Sequence, residues 1–110
     1  MEVTTRAQGE VTIVAIAGSL DSNTSPQAQL SLDAVVAQGA RKVALDFSAL
    51  DYISSAGLRV LLGMAKQLNA KGGALRTFGL NQTVREVFEI SGFATILKVF
   101  PCEYEALRGM

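Results

Sequence analysis

Apolar and polar residues fall into short blocks along the chain, and the period changes from block to block. Val3 to Ala7 is short and mixed, as in an edge strand. Gln8-Gly9-Glu10 punctuates it, and Val11 to Ala17 follows as a β-branched, largely apolar run. Such a run suits a strand covered on both faces, and the spacing predicts a hairpin joining the two. Gly18 then opens a polar stretch, Gly18-Ser19-Leu20-Asp21-Ser22-Asn23-Thr24-Ser25. Ser25 before Pro26 is an N-cap followed by a first-turn proline, and Leu30, Leu32, Ala34, Val35 and Val36 carry a helix to near Gly39. Val43-Ala44-Leu45-Asp46-Phe47 is a second buried strand, and Ser48 to Ile53 reads as a loop or turn.

The second half repeats the alternation. Ser54 or Ser55 caps a long helix with an apolar stripe of Leu58, Leu61, Leu62, Ala65 and Leu68, ended by Lys71-Gly72-Gly73. Ala74 to Gly79 is a short strand. Asn81 or Gln82 begins a helix with Val84, Val87, Phe88 and Ile90 that stops at Gly92. Thr95 to Phe100 reads as a last strand, and Pro101 starts a short helix through Leu107. The order is ββαβαβαβα. Strands alternating with helices imply an α/β fold: a mixed, mostly parallel sheet flanked by helices, with the first hairpin as an antiparallel edge. Without repeat, linker or low-complexity tract, residues 1–110 are expected to form a single domain, with a radius of gyration of roughly 13 Å.

Composition narrows the function more than the fold. At 110 residues, with 49% hydrophobic and 18% charged residues, the chain is long and apolar enough for one core. Lys+Arg and Asp+Glu are both 10, so nothing draws the chain as a whole to nucleic acid, and no nucleic-acid partner is expected. No signal-peptide pattern and no apolar run of the ~20 residues a membrane helix needs are found, so a soluble, cytoplasmic protein is expected.

Histidine is absent, which excludes a Ser-His-Asp triad, a Cys-His dyad and histidine metal sites within this chain. Cys102 is the one cysteine; it cannot pair internally and reads as a small packing residue. Phe47 and Tyr52 read as core aromatics, and Leu58, Val60 and Met64 as candidates for exposed apolar positions. A phosphate loop is missing, because Gly72-Gly73 follows a helix rather than a strand, and Gly-x-Ser-x-Gly is missing too. Asp21, Asp46 and Asp51 are the carboxylates that strand ends would gather toward a magnesium ion, yet nothing beside them reads a phosphate substrate. No metal site, no cofactor and no enzyme activity are expected.

Asp51-Tyr52-Ile53-Ser54-Ser55-Ala56-Gly57-Leu58 remains. It places two hydroxyls where a strand or loop gives way to a helix. The free amides and dipole of a helix start tolerate an anion there. Serine is also a preferred N-cap, and a cap and a phosphoryl acceptor are compatible roles.

The stretch from Val43 to Leu58 resembles the signature of STAS domains, and more narrowly of bacterial anti-sigma factor antagonists (anti-anti-sigma factors). The family pattern is a strand ending in Asp-hydrophobic-Ser, an aromatic, a hydrophobic residue, then Asp-Ser-Ser/Thr/Ala-Gly-Leu. Gly18-Ser19-Leu20-Asp21, Lys71-Gly72-Gly73 and Val84 to Phe93 resemble further family stretches, in order and over nearly the whole chain. The resemblance implies that the serine after the Asp position, Ser55 here, is phosphorylated by an anti-sigma factor that is also a serine kinase. This chain departs from the pattern at Ser54, which stands in the Asp position and is a second candidate acceptor; Ala56 is a common variant. The implied surface for the partner comprises Asp21, Ser22, Asn23, Thr24, Ser54, Ser55, Ala56, Gly57 and Arg59.

The resemblance thus implies a phosphorylation-gated interaction domain. Unmodified, it binds the anti-sigma factor kinase and releases a sigma factor; phosphorylation of Ser55 switches it off, and a serine phosphatase resets it. ATP and magnesium belong to the kinase. The alternative is a non-phosphorylated STAS scaffold or accessory subunit of a stress-signalling or lipid-transport assembly, to whose subunits such domains are also similar.

Overall fold

The two faces of the central strand decide the architecture. In the computed structural model, which describes residues 1–110, β1 (Glu2–Gln8) and β2 (Val11–Leu20) form the antiparallel hairpin. Along β2, Val14 and Ile16 point into the larger core, while Val11 and Ile13 point into a smaller cluster on the opposite face. Both faces are therefore covered, which is why the strand reads as a continuous apolar run.

The remaining elements are α1 (Ser25–Ala37), β3 (Lys42–Asp46), β4 (Leu50–Ile53), α2 (Ser55–Ala70), β5 (Ala74–Phe78), α3 (Gln82–Ser91), β6 (Val99–Phe100) and α4 (Glu103–Leu107). The sheet runs β1-β2-β3-β5-β6 with β4 also on β2, and every pairing except the first hairpin is parallel. Helices α1, α2 and α3 share the larger core through Leu32, Leu61, Leu68 and Phe88, where the Phe88 ring meets Phe47 edge-on at 6.2 Å. Helix α4 covers the other face through Ala106 against Val11, Ile13, Ala44 and Phe78. The radius of gyration is 12.4 Å.

Several expectations are corrected. Ser48 to Ile53 is not all loop: β4 lies within it, so the order is ββαββαβαβα. The β2–β4 ladder slips by one residue between Gly18 and Ser19, so Leu50 and Ile53 both face inward although three apart. Asp51 and Tyr52 are left outside, and Tyr52 is 45% exposed rather than a core aromatic. β2 continues through Gly18-Ser19-Leu20, beyond the expected break. Thr24, not Ser25, is the N-cap of α1. Leu30 and Ile90 stand out in solvent at 73% and 88% exposure.

Leu58, Val60 and Met64 are all buried, because α2 is sandwiched between the sheet and α1. Cys102 is exposed, as the N-cap of α4, and does not pack. Thr95 to Lys98 is a turn, with Leu97 N–H donating to Phe93 O and Lys98 at φ +48°, so the last strand is only Val99–Phe100.

Candidate functional site

The carboxyl ends of β2 and β4 meet the start of α2, and Gly57 makes the meeting close. A Cβ at Gly57 would lie 2.7 Å from Leu20 O, 2.8 Å from Leu20 Cγ and 2.9 Å from Ile53 Cγ1. The first turn of α2 is thereby pressed onto the strand ends. Ser54 N–H donates to Leu20 O at 2.9 Å, and Ser54 Oγ accepts from Gly57 N–H at 3.3 Å, capping the helix. The capping role falls to Ser54, so the hydroxyl of Ser55, the first helical residue, is left exposed.

Beside it, the loop after β2 is held by its own side chains. Asp21 Oδ1 accepts from Asn23 N–H at 2.9 Å and Thr24 N–H at 3.1 Å, and Thr24 Oγ1 donates to Ser19 O at 2.8 Å. Ser25 Oγ donates to Asp21 O. The carboxylate and hydroxyl of Asp21 and Thr24 therefore build the loop, and Ser22 and Asn23 are the residues it presents to solvent.

Of the sequence-derived surface, Ser22, Asn23, Ser55 and Arg59 are exposed and Ala56 is half-buried; Ser22, Ala56 and Arg59 line one groove, and Ser55 and Arg59 line another. Gly57 is buried and acts by packing, not contact. Two open grooves lie along the first turns of α2, and Ser55 lines one of them. One, about 320 Å³, lies between Ser22, Ser25, Pro26 and Gln29 on the α1 side and Ala56, Arg59 and Val60 on α2. The other, about 230 Å³, is lined by Ser55, Leu58, Arg59, Leu62, Ser91 and Phe93. Pro26, Gln29, Ser91 and Phe93 were not singled out by the sequence, because their place in the grooves depends on how α1 and α3 dock. A signal existed for the first: Pro26, Leu30 and Ala34 recur every four residues on a side of α1 opposite to Ala28, Leu32 and Val36.

Asp46 is engaged by Ser48 and Asp51 lies exposed on β4, and no three acidic, cysteine or histidine side chains converge on a point that would hold a metal ion. No helix is long and apolar enough to cross a membrane.

The model of the STAS domain matches residues 2–106. The chain belongs to the STAS domain family. Among curated relatives of this STAS domain, the candidate anti-sigma factor antagonist BtrV of Bordetella bronchiseptica is 49% identical over 79% of the chain and 75% of that protein. Solved STAS structures superpose closely. An anti-sigma factor antagonist from Mycobacterium paratuberculosis gives a TM-score of 0.89 at 23% identity, covering 96% of this chain and 90% of that one. The anti-sigma factor antagonist SpoIIAA in its unphosphorylated form gives 0.80 at 24% identity, covering 94% and 90%, and that Bacillus protein is also solved phosphorylated. At those identities the structures speak for the fold.

Proposed function

We propose that this STAS domain, residues 1–110 acting as one unit, is an anti-sigma factor antagonist gated by phosphorylation of Ser55. The observation that carries the reading is the division of labour between the two serines: Ser54 caps α2, and Ser55 offers its hydroxyl to solvent at the rim of a groove. The motif position and the antagonist name of the 49% identical relative support the same reading. In it, the unmodified surface around Ser22, Asn23, Ser55 and Arg59 docks on an anti-sigma factor kinase in the cytoplasm, and a sigma factor is released.

The kinase transfers the γ-phosphoryl group of ATP to Ser55 Oγ; ADP leaves, the hydroxyl proton is lost, and a phosphatase later hydrolyses the ester. The chain itself supplies no catalysis. The new group brings about −1.5 to −2 charges at pH 7. At a helix start it disturbs the fold little, whereas inside an interface it must shed water or meet acidic groups. A difference of ~3 kcal/mol in docking weakens binding about a hundredfold.

The test uses the native chain, Ser55→Ala and Ser55→Asp as baits for a lysate of the source organism, then titration of the purified kinase partner. Native chain and Ser55→Ala should bind alike, with Ser55→Asp about a hundredfold weaker. Equal affinity across all three would sink the gate and favour a constitutive scaffold.

A further inference from the structure

We propose that Arg59 is the intramolecular partner of a phosphoryl group on Ser55, so that modification also withdraws a cation from the docking surface. This deepens the reading above and rests on it. Ser55 is the first residue of α2 and Arg59 comes four later, so the two lie one above the other on one face of the helix. Helical side chains lean toward the N-terminus, which aims the long Arg59 side chain back over the turn that holds Ser55.

No acidic side chain lies within ion-pair distance of that guanidinium. Arg59 lines both grooves, including the one that Ser55 lines, and in each it is the only charged residue of the lining. The ion pairs of the chain are Arg6–Glu103, Lys42–Glu10 and Arg108–Glu105; Arg59 belongs to none of them. Its planar fork of donors matches phosphate oxygens two at a time, which a lysine cannot do. Without the phosphoryl group, Arg59 stands exposed on the ridge between the grooves, ready for an acidic group of a partner. With it, the guanidinium folds back on its own helix and that contact is lost.

The experiment needs neither kinase nor partner. Phosphoserine is installed at position 55 by genetic encoding in the full chain, and the second phosphate ionisation is followed by ³¹P NMR. A paired cation favours the dianion, so Arg59→Gln should raise that ionisation midpoint by about half a pH unit relative to the parent. Arg59→Lys, which keeps the charge without the fork, should fall between them. Equal midpoints in the parent and Arg59→Gln would overturn the pairing and leave the gate standing. Equal docking by Ser55→Asp and the native chain would overturn the gate and leave the titration as measured.

Discussion

At the scale of single residues, the site depends on a missing side chain as much as on a hydroxyl. Gly57 is the point where α2 touches Leu20 and Ile53, and the nearest obstacle to a Cβ is a backbone oxygen that has no rotamer to escape into. Gly57→Ala should therefore destabilise the fold by about 1–3 kcal/mol, as overpacked cores do, despite the better helix propensity of alanine. A lower urea midpoint at unchanged slope is the expected result. Movement of α2 off the strand ends should also shift the amide resonances of Ser54 and Ser55. The resemblance placed this glycine on the implied partner surface. That it lies beneath the surface was not legible in the sequence, since its burial comes from Leu20 and Ile53 in two separate strands.

At the scale of elements, β4 and α3 stabilise one another through one side chain. Asn81 Oδ1 accepts from Val84 N–H at 2.8 Å and caps α3, while Asn81 Nδ2 donates to Leu50 O at 3.0 Å and Asp51 O at 3.4 Å on β4. Asn81→Ala should cost about 1–2 kcal/mol and speed amide exchange across Leu50–Ile53. Asn81→Asp keeps the cap but not the donation, so it should restore α3 and leave β4 exchanging fast.

The same strand marks where sequence reading fell short. Strong runs such as Val11–Ala17 and the stripe of α2 declared themselves by period. Leu50-Asp51-Tyr52-Ile53 did not, because the slipped ladder places inward residues three apart, which breaks the period of two that marks a strand. Thr95-Ile96-Leu97 failed in the other direction. Its residues favour a strand, yet the exit from α3 and the left-handed Lys98 hold it as a turn. The pair Ser54–Ser55 and the loop from Asp21 stood out in the sequence as candidates; the grooves did not, being made by α1 and α3 packing beside α2.

At the scale of the whole molecule, the sheet separates the candidate docking surface, on the side of the larger core, from the smaller cluster that α4 covers. On the face opposite α1, α2 and α3, Arg76 donates to Ala106 O at 3.0 Å and Arg108 O at 2.6 Å and lies 5.2 Å from the centre of the Phe100 ring. Arg6 pairs with Glu103 to fix the start of α4. Arg76→Ala should loosen α4, with a loss of about 1.5–3 kcal/mol for charge-assisted bonds. Hydrogen exchange should rise across Glu103–Arg108 while the first turn of α2 stays protected. Protection lost equally on both faces would show the two are not separable.

The two adjacent serines carry a last consequence, one of time. Because the hydroxyl that holds the helix and the hydroxyl that faces solvent belong to different residues, a group can be added to Ser55 and removed again with the cap of α2 still made. No element has to melt or refold between the two states. Under the proposed gate, the chain sets no slow relaxation of its own, and the dwell in each state is fixed by the kinase and phosphatase that the gate invokes.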